Sequence, residues 1–223
     1  MIQHVYERAT ACPELSEVYV ATDDERIAAC VRGFGGNAII TGSGHRSGTD
    51  RISEAALKLG FEAEDLVINI QGDQPLFHPS VVTALLTALL EDHTLPMATL
   101  KFRMTDEDEI RNPNHVKVVT DNQGFALYFS RYPIPFCRDE KLTHGHFKHL
   151  GFYGFRSAFL AKFPRLSEGM LEASEKLEQL RVLEHGYKIK VMEAPFNSLE
   201  VDVPEDLRKV EEALRASSSP LLS

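Results

Sequence analysis

The chain has 223 residues, 24 of them basic and 33 acidic, for a net charge of −9. That balance sets aside a nucleic-acid partner gripped through its phosphates, and no apolar run approaches the ~20 residues of a membrane span. Cys12, Cys30 and Cys137 stand at unrelated spacings that suit neither a disulfide framework nor a zinc ribbon, so a cytoplasmic location is expected.

The length is enough for one full core, and residues 1–216 read as a single α/β domain ahead of a frayed tail, 217–223. In chain order, Ile2, Val5, Tyr6 and Ala9 make one face of a helix that Pro13 stops. No strand precedes that helix. Val18–Ala21 reads as a strand, and a helix through Ile27, Ala28 and Val31 ends at Gly33. Ala38–Thr41 is a second strand, followed by a Gly/Ser-rich loop and a helix through Ala55, Leu57 and Leu59. Leu66, Val67, Ile68 and Ile70 form an apolar strand that runs into Gln71-Gly72-Asp73 and is closed by Pro75. Paired apolar residues recurring every fourth position from Ser80 to Leu90 predict a further helix.

This alternation implies a doubly wound α/β fold with a mostly parallel sheet. The middle departs from it. Val116–Thr120, a turn at Asp121–Gly124 and Phe125–Ser130 predict an antiparallel hairpin, and His149–Phe155 another strand; the insert spans about 112–155 and suits a lid or dimer arm. Ala173, Leu177, Leu180, Leu183 and Tyr187 stripe one helix, Ile189–Met192 is a last strand, and a final helix starts at Glu205.

In parallel sheets ligands bind beyond the carboxyl ends of the strands, which puts Gln71, Gly72 and Asp73 where chemistry is expected. His45–Arg51 opens a helix with small residues and two arginines. An anion or a base edge could sit there, although plain helix capping accounts for Ser47 and Thr49 equally well. Asp73 and Asp202 each stand at a sharp strand end with a proline shortly after, and two such carboxylates plus substrate phosphates are a common Mg²⁺ donor set. Asp202 also reads as a helix N-cap. His144, His146 and His149 fit no standard zinc spacing, Glu178 and Gln179 read as a solvated helix face, and Arg131 as a surface cation.

Eight segments taken together resemble the 3-deoxy-manno-octulosonate (Kdo) cytidylyltransferases. They are Tyr19–Asp23, Ser47–Arg51, Asn69–Pro75, Asn112–Val119, Ala126–Arg131, His149–Gly154, Leu177–Leu183 and Val201–Asp206. They occur in family order, and the resemblance runs from Met1 to about Leu214. It implies an enzyme that transfers CMP from CTP to the sugar acid Kdo, releasing pyrophosphate, for lipopolysaccharide assembly, with a nucleotidyltransferase-like fold and a homodimer. It further implies that Ser47, Gly48, Arg51, Gln71, Gly72 and Asp73 line the nucleotide site. Asp73 and Asp202 would hold Mg²⁺, and Arg131, His149, Tyr153, Glu178 and Gln179 would hold the sugar. The family's opening strand and its Arg/Lys phosphate loop have no counterpart in these residues, so a weakly active and poorly stable chain is expected. The other readings are a non-catalytic remnant that still binds nucleotide or sugar, and a transferase for another nonulosonic acid.

Overall fold

The computed structural model describes residues 1–138, 145–198, 200–201 and 204–217. Helix α1 (Ile2–Thr10) turns Val5 and Ala9 into the core. It is followed by β1 (Val20–Thr22), α2 (Glu25–Gly33) and β2 (Ala38–Ile40). Asp24 caps α2 by accepting from the Arg26 amide at 2.8 Å, which accounts for the Thr-Asp-Asp helix start. Helix α3 (Gly48–Leu59) is capped by Ser47 and closed by Gly60 at φ 72°, a left-handed cap that favours glycine. Next come β3 (Leu66–Asn69) and α4 (Ser80–Glu91), which buries Val81, Val82, Leu85, Ala88 and Leu89.

Beyond α4 the chain forms β4 (Met97–Met104), α5 (Glu107–Arg111), the hairpin β5 (Lys117–Thr120) and β6 (Ala126–Ser130), and the long β7 (His146–Arg156). Short helices α6 (Ser157–Leu160), α7 (Met170–Glu175) and α8 (Gln179–Glu184), then β8 (Ile189–Glu193) and α9 (Pro204–Ser217), complete it.

The main sheet has six strands, in the order β6-β5-β7-β4-β8 with β3 also on β7. Strand β8 is parallel to β4, while β7 is antiparallel to β3, β4 and β5. The α/β class therefore holds, and the strands on either side of β7 share one direction, as βαβ alternation requires. The insert contributes a central strand rather than an appendage, so the pairings are more antiparallel than the alternation alone implied. Two further expectations change. Strand β4 had no counterpart in the sequence reading. The single helix striped from Ala173 to Tyr187 is two, because Lys176 adopts φ 54° at the end of α7 and breaks the run.

Strands β1 and β2 pair in parallel as a separate two-stranded sheet. Between β1 and β3 lies a cavity of about 880 Å³, with α1 on one wall and α3 on another. Among the described residues β1 pairs with β2 alone and β3 with β7 alone. Val20 donates to Asn37 O at 2.8 Å and Thr41 to Thr22 O at 2.9 Å, so the backbone groups of Ala21, between them, turn the other way. Likewise Ser157 donates to Asp65 O at 2.8 Å, which by alternation turns Leu66 and Ile68 away from β7. Both sets face the cavity. The core thus has a strand-lined slot between β1 and β3.

Candidate active site

The chemistry end of the sheet is built around an interruption in β7. Register runs from Thr99↔Tyr153 to Leu100↔Leu150, so Gly151 and Phe152 are extra residues on β7, a bulge of the kind found beside active sites. On its other edge β7 pairs with β3 only at Tyr153–Arg156 and with β5 only at Lys148. The gap between those pairings is the floor of a cavity of about 170 Å³. Gly151 keeps the floor low: a Cβ there would stand 3.4 Å from Gln74 Nε2.

Gln71 and Asp73 line this cavity from the loop after β3, His149 and Tyr153 from β7, and Gln179 from the start of α8. Five of the residues expected from the sequence therefore converge. His149 is 6% exposed and packs edge-on to Phe129, ring centroids 4.9 Å apart. Thr99 Oγ1 donates to Phe152 O at 2.7 Å, so its 2.9 Å bond with His149 must be donated by Nε2–H, which leaves Nδ1 as an acceptor. Burial first, and the Lys148 charge second, push the His149 pKa down to about 3, so the ring is neutral. Burial also raises the Tyr153 phenol well above its ordinary value, and its hydroxyl donates to Gln179 Oε1 at 3.2 Å. Gln179 is 2% exposed, and its Nε2 has no hydrogen-bond partner among the described residues. A buried amide donor without a partner on a cavity wall is a place for a ligand oxygen.

Other expected residues stand differently. Arg131 is off this wall: its Nε donates to Glu175 O at 2.8 Å and an Nη to Pro113 O at 3.1 Å. Glu178 turns away to α3, accepting from Thr49 Oγ1 at 2.7 Å and from the Thr49 amide at 3.3 Å. Ser47 accepts from the Asp50 amide at 3.2 Å. Gly48 faces Gln71, whose Oε1 would be 3.8 Å from a Cβ there. Arg51 donates to Thr41 Oγ1 at 2.7 Å and pairs with Asp23 at 3.2 Å. Gly72 is exposed beside Ile2.

Asp202 and His144 lie outside the described residues. Val201 donates to Asp73 O at 3.0 Å. Among the described residues no group of three or more His, Cys, Asp or Glu side chains could hold a metal ion. An oxygen-seeking cation at Asp73 would need substrate phosphates to complete its shell, which is how Mg²⁺ is ordinarily held. His146 Nε2 is 3.1 Å from Pro135 O and His149 is bound to Thr99.

The sequence reading missed Gln74, Asn114, Lys148 and Glu200, which complete the wall. Gln74 is 1% exposed; it accepts from Ser198 Oγ at 2.9 Å and donates to Glu200 at 3.3 Å. It also missed Arg181, buried at 1% exposure, which clamps Glu172 at 2.7 and 2.6 Å and faces Asp50 at 3.5 Å.

The sequence pattern of the Cytidylyltransferase family matches residues 1–189. The chain belongs to this family. It is 51% identical over 214 residues to the 3-deoxy-manno-octulosonate cytidylyltransferase of Syntrophus aciditrophicus (strain SB), covering 96% of this chain and 86% of the relative. It is also 51% identical over 216 residues to the 8-amino-3,8-dideoxy-manno-octulosonate cytidylyltransferase of Shewanella sp. (strain ANA-3), covering 96% and 87%. A solved structure of CMP:2-keto-3-deoxy-manno-octonic acid synthetase complexed with CTP superposes with a TM-score of 0.90 at 41% identity, over 97% of this chain and 88% of that one. The family assignment accounts for a sheet whose strand ends converge on one polar cavity. No described helix is long and apolar enough to cross a membrane.

Proposed function

We propose that this cytidylyltransferase moves CMP from CTP to Kdo, giving CMP-Kdo and pyrophosphate for lipopolysaccharide assembly in the cytoplasm. The observation that carries the reading is the convergence of Gln71, Asp73, His149, Tyr153 and Gln179 on one small polar cavity, in a chain so similar to a CTP-complexed CMP-octulosonate synthetase. In the reaction the anomeric hydroxyl oxygen of the sugar bonds to the α-phosphorus, the bond to pyrophosphate breaks, and the hydroxyl proton is lost. Such a transfer needs in-line positioning and neutralised charge more than a strong base.

The residues divide that work. Gln179 Nε2 donates to a sugar oxygen, and the neutral His149 accepts from a sugar hydroxyl at Nδ1. Gln71 lies between this cavity and Gly48, joining the sugar and nucleotide sides. Asp73, with Asp202, would hold Mg²⁺, which would offset the charge of the phosphates. Leu127, Tyr132 and Phe136 of the insert are 62%, 75% and 86% exposed, which supports a homodimer formed through it.

The test is pyrophosphate release from CTP and Mg²⁺ with Kdo, compared with 8-amino-3,8-dideoxy-manno-octulosonate and other sugar acids. Release with Kdo that disappears on chelation of the metal and in Asp73→Asn is expected. The 51% identity to the 8-amino enzyme favours a second reading, and faster turnover of the 8-amino sugar would establish it over the first. Release with neither octulosonate would refute both.

A further inference from the structure

Among the described residues the small cavity has one cation on its wall. Lys148 projects from β7 with its side chain 8% exposed, and its ammonium lies 3.7 Å from Glu200 Oε1. The same carboxylate oxygen also takes the Gln74 amide at 3.3 Å. Around Lys148 the wall carries the carboxylates of Asp73 and Glu200 and otherwise neutral hydrogen-bonding groups: the amides of Gln71, Gln74, Asn114 and Gln179, the phenol of Tyr153 and the uncharged ring of His149. Arg131, the cation expected to hold the sugar, is committed to the carbonyls of Glu175 and Pro113 and is not on the wall.

Removing an ammonium from water costs several kcal/mol, and a single ion pair at 3.7 Å does not offset that cost well. The unpartnered Nε2 of Gln179 on the same wall is a second sign that the cavity is built for an occupant. Asp73 is the proposed metal ligand and Glu200 is engaged with the Gln74 amide and Lys148, so the rest of the wall, one ammonium among neutral donors and acceptors, complements a molecule with one carboxylate and several hydroxyls. Lysine also carries its charge on a flexible stem, so it can re-aim without backbone movement, which a guanidinium fixed by two carbonyls cannot.

We infer that Lys148 takes the carboxylate of the sugar acid, its ammonium exchanging Glu200 for the incoming carboxylate and so selecting acids over neutral sugars. This rests on the octulosonate reading above. An anionic phosphate oxygen of the nucleotide is the other partner an ammonium could serve, and the experiment separates the two.

The test is calorimetric titration of the protein and of Lys148→Met with Kdo, with Kdo carboxamide and with CTP. The unaltered protein should bind the acid at least tenfold more tightly than the carboxamide. In Lys148→Met that ratio should collapse toward one, with CTP affinity within twofold of the parent. A ratio near one in the unaltered protein overturns the inference without recourse to any variant. A ratio that survives in Lys148→Met, or a loss confined to CTP, overturns it as well. Binding of neither the acid nor the carboxamide would overturn the octulosonate reading itself, and the inference with it. Lys148→Gln, polar and uncharged, serves the same comparison if the methionine variant does not fold.

Discussion

His149 makes stability depend on pH in a window that few other groups share. Its ring is 6% exposed, packed against Phe129 and Tyr153 with centroids at 4.9 and 5.5 Å, and its pKa is pushed down to about 3 by burial and by Lys148. An unfolded histidine titrates near 6.5, so as pH falls below that value the unfolded chain binds a proton the folded one refuses. The contribution is present in full above about pH 6.5 and is lost as pH falls toward 3. Between pH 7 and pH 5 the loss comes to about 2 kcal/mol. Carboxylates do not confuse the window, because Asp24 and Glu54, both lowered to about 2, change protonation at lower pH. His115 is also lowered by burial and acts in the same direction, so the quantity to compare is the difference from His149→Gln. Urea unfolding at pH 7 and pH 5 should show the parent losing about 2 kcal/mol more than the variant. Equal losses would mean that the folded ring is protonated as readily as the unfolded one, and the neutral-histidine reading of the cavity would fall.

Arg181→Met should destabilise the fold by about 3–5 kcal/mol, because it strands the buried carboxylates of Glu172 and Asp50. A denaturation midpoint close to the parent's would contradict that. Gly151→Val should raise the KM for the sugar acid at least tenfold with little change in Tm, since its Cβ would sit 3.4 Å from Gln74 Nε2 and its methyls would enter the 170 Å³ cavity; an unchanged KM would show that the sugar lies elsewhere. By amide hydrogen exchange, Ala21, Leu66 and Ile68, which face the slot, should exchange at least tenfold faster than Val20 and Val67, which face paired strands. Uniform protection along β1 and β3 would refute the slot.

Much of this site was legible because strand ends announce themselves. Leu66, Val67, Ile68 and Ile70 are apolar and three of the four are β-branched, so Gln71 and Asp73 had to fall at the carboxyl end of a strand. Lys148 was hidden by the rule that exposed the others. Strand alternation puts neighbours such as Lys148 and His149 on opposite faces, yet both line the cavity, because the bulge at Gly151-Phe152 and the broken pairing open the strand at that point. Strand β4 escaped notice because Lys101 and Arg103 interrupt its apolar pattern; Lys101 reaches Thr120 Oγ1 at 3.0 Å and lies over the Phe147 ring. Arg131 and Glu178 were expected to hold the sugar, but sequence spacing cannot show that their side chains satisfy Glu175, Pro113 and Thr49.

Those local commitments decide between an anion and a base edge at the start of α3. A helix N-terminus attracts phosphate only while its amides are free. Here the Asp50 amide is taken by Ser47, the Thr49 amide by Glu178, and the Arg51 amide by Ser47 O at 3.3 Å. Glu178 brings its own negative charge to this end of the helix, where it is favoured by the dipole and opposes a second anion. The Arg51 guanidinium is matched by Asp23. What remains open is the Gly48 face toward Gln71, uncharged and without a side chain, which suits the edge of a base or a ribose. On the proposed reading the triphosphate would then lie away from α3, toward Asp73, while the Thr49–Glu178 bond holds the start of α3 against the start of the helix that carries Gln179.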